Sequence, residues 1–268
     1  MALIAMAVYD SGDGVRKNLT LQTLVSMQGM NWGHHRLVVV NNGGGDEMTR
    51  WLSVTMEIHP YDESPRGTRT RIDLPQNIGT AAAINKVWKL RRPGEMCVKM
   101  DDDVVIHQRD WANQMEEVIA IDPTIGIVGL KRKDLEERPD HPIGFYRSGL
   151  RMLKHEPGHH WIVVEEVQHV MGTCQMYSAA LLDKIGYLYQ MQDMGNLYGF
   201  DDSLASLRAH IAGFKTVFLP STDIDHIDPG GTKYTAWKAE MAGHWMGTYQ
   251  RVRDEYLSGA RPIYWEDK

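Results

Sequence analysis

The sequence predicts an α/β domain with a mostly parallel central sheet and helices on both faces. Three observations carry that prediction. Short apolar runs without polar alternation recur along the first half, as in strands buried on both sides. Segments with apolar residues at helical spacing separate them. The loops after the runs are rich in Asn, Asp and Gly, which puts polar chemistry at the carboxyl ends of strands, where open α/β sheets bind ligands.

Leu3 to Val8 is the first run. It lacks a basic leader and a small-residue cleavage site, so it reads as a strand and not as a signal peptide. Leu21, Leu24 and Val25 mark one face of a helix from about Val15 to Gln28. Arg36 to Val40 is a β-branched strand that ends in Asn41-Asn42-Gly43-Gly44-Gly45-Asp46, a loop able to expose backbone amides. Arg69 to Leu74 follows as a strand, and Gly79 to Leu90 as a helix with Ala83, Val87 and Leu90 on one face. Met96 to Met100 is a strand that runs straight into Asp101-Asp102-Asp103. Trp111, Met115, Val118 and Ile119 mark the next helix, and Ile125 to Leu130 the next strand.

Beyond Lys131 the pattern changes. Lys131 to Gly158 is polar and holds three prolines, so it reads as an insertion or mobile loop. Trp161 to Val170 has strand character, Cys174 to Tyr189 reads as strand then helix, and Asp201 to Ala212 as helix. Thr216 to Leu219 is a short strand. Tyr234, Trp237, Met241 and Trp245 form a stripe on a terminal helix and are expected to pack in the core. No repeat or linker divides the chain, so residues 1–268 read as one domain, with halves meeting near residue 130.

Composition sets bounds. A hydrophobic fraction of 43% supports a sizeable core, and a net charge of −6 argues against broad nucleic-acid binding. Cys97 and Cys174 lie apart in apolar settings, which suits buried thiols in a reducing compartment. No stretch approaches the ~20 apolar residues of a membrane span. A cytoplasmic protein with no integral membrane segment is expected. Lys131-Arg132-Lys133 reads as a solvated surface patch.

The acid triplet is the strongest chemical signal. Three adjacent carboxylates repel and need a countercharge, and Mg²⁺ or Mn²⁺ takes oxygen ligands beside phosphate. In an extended segment Asp101 and Asp103 share a direction while Asp102 points away. His226, in Asp225-His226-Ile227-Asp228-Pro229-Gly230-Gly231, follows an apolar strand and is a candidate to complete the metal shell. The pairs His34-His35 and His159-His160 show no partners at ligand spacing and receive no role.

Six ordered clusters together resemble a known pattern. They are Tyr9-Asp10; Asn41 through Asp46; Asn77-Ile78-Gly79 through Asn85; Asp101-Asp102-Asp103; Gly172-Thr173-Cys174 through Ile185-Gly186; and Asp201-Asp202 with Arg208 and Gly213. The chain resembles nucleotide-sugar-dependent glycosyltransferases of the GT-A (Rossmann-like) fold, close to family two, from about Leu3 to His226. It departs from them in three places. The second strand ends in Asn instead of an acid, Ile84 stands where Arg often precedes Asn85, and the late acidic pair is Asp201-Asp202 instead of Glu-Asp.

The resemblance implies a hexosyl- or pentosyltransferase that moves a sugar from a nucleoside-diphosphate sugar to a hydroxyl. It makes residues 1–130 the nucleotide-sugar half and 131–268 the acceptor half. The donor would lie across Tyr9, Asp10, Asn41, Asn42, Asn77, Gly79, Asn85, Asp101 and Asp102, with UDP the default nucleotide. The Asp-x-Asp motif would supply metal ligands Asp101 and Asp103, Asp103 directly and Asp101 through water or while holding the ribose, joined by His226, for Mn²⁺ or Mg²⁺. Asp202 would be the general base of an inverting transfer, with Asp201 holding a hydroxyl. The acceptor is expected to be soluble: a glycan, a small molecule, a protein or a modified DNA base. Two other readings stay open. Asp101-Asp102-Asp103-Val104-Val105 also fits the nucleophile motif of haloacid-dehalogenase-like phosphohydrolases, with Asp101 as nucleophile. A glycosyltransferase fold can also serve as a non-catalytic nucleotide-sugar-binding module.

Overall fold

The computed structural model describes residues 1–10, 14–58, 69–132, 149–156, 158–190, 199–231 and 233–266. The first half runs β1 (Ala2–Val8), α1 (Val15–Ser26), β2 (Arg36–Asn42), α2 (Gly45–Ile58), β3 (Arg69–Leu74), α3 (Thr80–Trp88), β4 (Met96–Met100), β5 (Val104–Ile106), α4 (Trp111–Ile121) and β6 (Ile125–Arg132). It continues through β7 (Gly149–His155), β8 (His160–Val167), β9 (Cys174–Tyr177), α5 (Ala179–Ile185), α6 (Asp201–Ile211), β10 (Lys215–His226) and α7 (Lys233–Leu257).

All ten strands join one sheet of order β3-β2-β1-β4-β9-β6-β10-β8-β7, with β5 on β10. The first four are parallel, as expected. The far half is mixed: β9 runs antiparallel to β4 and β6, β10 is parallel to β6, and β8, β7 and β5 add antiparallel pairs. The chain leaves β1 for β2 and β3 on one side, then returns to β4 on the other. Val8 pairs with Asn41 and Met6 with Met100, so Tyr9, Asn42 and Asp101 reach the same sheet edge. That edge between β1 and β4 is a topological switch point, where such sheets open a crevice.

Side chains alternate across the strands to feed two cores. Ile4, Met6, Val39 and Val98 pack with Leu24 of α1, Met48 and Leu52 of α2 and Trp111, Met115 and Val118 of α4. Leu3, Ala5, Val38 and Cys97 pack with Ala83, Val87 and Trp88 of α3, Leu181 and Ile185 of α5 and Ala205 and Ala209 of α6. Each β1 residue from Ala2 to Met6 has no exposure, which explains why the run shows no polar alternation. Both cysteines are buried and free.

Several expectations are corrected. Within Lys131–Gly158, β6 continues to Arg132 and Gly149–His155 is a strand paired with β8; residues 133–148 and 157 lie outside the described residues. β7 escapes a hydrophobic scan because two of its three larger apolar residues point outward, Leu150 at 72% and Met152 at 62% exposure, and only Leu153 is buried. Val25 and Leu90 are exposed, while Thr20 and Thr23 face inward from α1. The terminal-helix stripe is half-buried at Trp237, Met241 and Trp245. The fully packed positions on α7 are Tyr249, Val252 and Tyr256, against Tyr189 and Leu204.

Candidate active site

The acid triplet sits in the tight connection between β4 and β5, not in an extended segment, so simple alternation of its side chains does not hold. Each carboxylate meets different partners. Asp102 accepts from Thr20 Oγ1 at 3.0 Å and from Arg16, and Arg16 Nη1 also reaches Asp103 Oδ2 at 2.9 Å. One guanidinium on α1 thus bridges two of the three acids. Asp101 faces the other way, with Lys99 Nζ 4.0 Å from its Oδ1.

Asp103, His226 and Asp228 form a compact group whose ligand atoms all lie within 4.8 Å of one another. Two backbone links hold them: β5 pairs with β10 through Val104 and His226, and the Ile227 amide donates to the Asp103 carbonyl at 2.9 Å. Asp103 Oδ1 and Asp228 Oδ2 are shut off from solvent with no hydrogen-bond partner among the described residues, and Lys238 Nζ stands 3.5 Å from Asp228 Oδ2 as its ion-pair partner. Buried acceptors left this way are costly unless something satisfies them. Two carboxylates and an imidazole suit a divalent cation that takes both oxygen and nitrogen ligands. The donor set therefore fits Mn²⁺, with Asp228 in addition to the expected Asp103 and His226. Asp101 lies outside this group.

Charge coupling follows the geometry. Burial would raise the Asp103 carboxyl, but the His226 hydrogen bond and Arg16 outweigh it and hold it well below the usual range. Burial pushes Asp101 up to about 7, helped by Asp103 and Asp201 and opposed by Lys99. Burial likewise pushes Asp102 up to about 6 against Arg16. About a third of the Asp101 side chain still reaches solvent.

Across the crevice, α6 begins with Asp201 and Asp202 in its first turn. The residue before them, Phe200, holds a left-handed φ of 55° and stacks on Tyr249, ring centroids 4.6 Å apart. A non-glycine residue in that region is strained and persists only where packing imposes it. Phe200 is the cap residue of the helix that carries the acidic pair. Asp202 accepts the Gly172 amide at 2.9 Å and the Ser203 amide at 2.7 Å, with His169 Nε2 at 3.6 Å. Burial alone would raise its carboxyl, but the His169 contact, Lys99 and the Ser203 amide hold it far below the usual range. Asp201 Oδ2 lies 2.8 Å from Lys99 Nζ. Lys99 is therefore the cation between Asp101 and Asp201, and those acids overcome burial to raise it well above its ordinary value. Gly172 makes room for this meeting, since a Cβ there would sit 2.6 Å from Lys99 Nζ.

The remaining sequence-selected residues divide. Tyr9 is 38% exposed at the crevice, and Asp10 Oδ1 is buried without a hydrogen-bond partner among the described residues. Asn41 is committed internally, donating to Thr49 and Asp73 and accepting from the Gly44 amide. Asn42 ties its loop to the next, donating to Asn77 and accepting from the Ile78 amide. Asn77 also accepts from the amide of Gly79, the residue before α3. Asn85 is fully buried, and its amide group is spent on both backbone groups of Leu188. It joins α3 to the segment after α5 and has no path to a ligand. Arg208 is also internal, bonding the carbonyls of Ile185, Tyr187 and Ile263. Sequence reasoning missed Arg16, Asp228 and His169. Asp228 alone had a local signal, because it stands two residues after His226.

No protein-family model matches the sequence, and no curated protein matches it. Solved structures do. The mannosyltransferase PcManGT from Pyrobaculum calidifontis, in complex with GDP-Man and Mn²⁺, matches with a TM-score of 0.60 at 19% identity over 88% of this chain. The chain has the GT-A fold. S. aureus TarS in complex with UDP-GlcNAc matches over 86% at 15% identity and a TM-score of 0.57. GalNAc-T7 with UDP, GalNAc and Mn²⁺ matches over 84% at 10% identity and a TM-score of 0.59. The chain spans 59%, 61% and 43% of those three chains. Among the described residues no helix is long and apolar enough to cross a membrane.

Proposed function

We propose that this chain is a metal-dependent glycosyltransferase that moves a sugar from a nucleoside-diphosphate sugar to a hydroxyl acceptor with inversion. The observation that carries the reading is the juxtaposition, at the switch point of a GT-A fold, of Asp103, His226 and Asp228 with Lys99, Asp201 and Asp202. Asp103, His226 and Asp228 would hold Mn²⁺, which when bound neutralises charge on the departing diphosphate. Tyr9, partly exposed at the end of β1, stacks on the base, and the buried Asp10 carboxylate accepts from the base or ribose. Uridine is the first choice of base. The committed amides of Asn41, Asn42 and Asn77 shape the pocket wall and leave base contact to Tyr9, Asp10 and the loop backbone.

Asp202 is the acceptor-side base. Amide donors and His169 keep it ionised, which makes it a weak base, so it takes the hydroxyl proton late, as the new bond forms. Asp201, paired with Lys99, orients a sugar or acceptor hydroxyl. The phosphohydrolase alternative loses its basis, because the acid triplet follows the fourth strand of a GT-A sheet and not the first strand of the chain.

The test is turnover of nucleoside-diphosphate sugars with Mn²⁺, read as nucleotide release, and proton NMR of the product anomer. Asp202→Asn should lower turnover by roughly a hundredfold or more with donor affinity nearly unchanged. A product that keeps the donor's configuration would remove Asp202 from this role. Tight donor binding with neither transfer nor hydrolysis for any acceptor class would make the chain a binding module.

A further inference from the structure

We propose a second cation site, for Zn²⁺, formed by His155, His160 and Glu117 on the surface of α4 and the β7–β8 hairpin. It shares no residue with the crevice at β1 and β4. His155 ends β7 and His160 begins β8, and the ladder register pairs them directly. Across an antiparallel pair such positions bring side chains together, and here the ring centroids are 4.8 Å apart. Glu117 comes up from α4 to meet both. Its Oε1 lies 2.8 Å from His155 Nδ1 and 2.8 Å from His160 Nε2, and the three ligand atoms form one compact group.

The contacts are close but not hydrogen-bonded. Glu117 Oε1 and His155 Nδ1 are shut off from solvent, and neither has a hydrogen-bond partner among the described residues. A carboxylate oxygen with two ring nitrogens aimed past it in this way is the arrangement a metal ion satisfies. Zn–N and Zn–O bonds of ~2.0–2.1 Å place tetrahedral ligands roughly 3.3 Å apart. Each Glu117-to-ring distance therefore needs to open by only about 0.5 Å, and the two ring nitrogens already lie within 4.8 Å of each other. Two imidazoles and one carboxylate suit zinc better than Mg²⁺ or Ca²⁺, with the fourth position left to water.

The turn is shaped to this end. Gly158 lies under both rings, and a Cβ there would stand 2.5 Å from His160 Nδ1 and 2.7 Å from His155 Nδ1. His159 takes a left-handed φ of 50°, which turns the chain back so that His160 faces His155. The other surface histidine group contrasts with this one. In His34, His35 and Glu116, the His35 Nδ1 accepts from the Ala2 amide and its Nε2 meets Asn113, so both nitrogens serve the fold. Bound zinc would fasten the β7–β8 hairpin, whose outer residues are exposed, onto α4.

The test is zinc content per chain after equilibrium dialysis and gel filtration, with Asp103→Asn used to remove the crevice site. Wild type and Asp103→Asn should each keep one zinc at the hairpin, and its addition should raise the melting temperature of both. His160→Gln in the Asp103→Asn background should lose that zinc, with affinity at least about a hundredfold weaker, because losing a direct ligand should cost no less than the roughly 10–100-fold of losing a partner behind one. His160 is half-exposed, so the variant keeps the fold, which its far-ultraviolet circular dichroism checks. Zinc bound equally well by the double variant, or none bound by Asp103→Asn, would overturn the proposal.

Discussion

Lys99→Met is the most revealing single substitution. The Lys99 side chain is 6% exposed, and its ammonium lies 2.8 Å from Asp201, whose side chain is 14% exposed, and 4.0 Å from Asp101. Met fills the same space without the charge. Removing one partner of a buried pair costs ~3–5 kcal/mol, because the other charge is left uncompensated. Asp201 and Asp101 keep some solvent contact, so a loss near the lower end, about 3 kcal/mol, is expected. Adding Asp201→Asn should recover roughly half of it, because it removes the stranded charge. Urea unfolding of the metal-free protein at pH 8 measures both variants, with unchanged m values as the control on two-state behaviour. A loss below about 1 kcal/mol, the size of an exposed pair, would show that Lys99 does not neutralise these acids. A double variant no more stable than Lys99→Met would refute the pairing with Asp201.

Other consequences follow from the same contacts. Asp101 and Asp102 have folded values of about 7 and about 6, against ~3.9 in the unfolded chain. Between those values the folded metal-free chain holds protons that the unfolded chain has released, so stability should fall as pH rises from about 4 to 7. Asp103 and Asp202 are depressed and act oppositely, contributing stability above about pH 4 that is lost as pH drops further. Thermal unfolding in chelator should therefore peak in mildly acid buffer, and Asp101→Asn should flatten the neutral limb; a steady rise from pH 5 to 8 would contradict this. Gly43→Ala should cost about 2 kcal/mol or more, because Gly43 has a φ of 86° and a Cβ would sit 2.2 Å from the Asn77 amide nitrogen. Donor affinity should fall with it, since those two loops wall the crevice.

The parts of this account legible in the sequence are those set by local pattern. Apolar runs gave β1, β2 and β4, the last broken only by the buried Lys99, because strands covered on both faces need no polar side. The acid triplet at the end of β4 and the pair opening α6 marked the crevice from opposite ends. What escaped was set by tertiary contact. α2 lay hidden behind a Gly-rich loop, although Met48 and Leu52 are four apart and both buried. β5 has three residues and exists through pairing with β10. Arg16 meets Asp102 across 86 residues, and no local rule links an arginine on the first helix to those acids. Asn41, Asn42 and Asn85 looked like ligand-binding amides because Asn serves loops and ligands alike. Only their hydrogen-bond partners show that they fasten the loops.

The central claim is that Asp103, His226 and Asp228 hold a divalent ion that the donor needs. Calorimetric titration of a UDP-sugar into wild type, Asp103→Asn and His226→Ala, each with Mn²⁺ and with excess chelator, tests it most directly. The account predicts Mn²⁺-dependent binding by wild type, and weakening of at least about tenfold in both variants, with folding intact. Equal affinity in all three proteins, or wild-type binding unchanged by chelator, would contradict it.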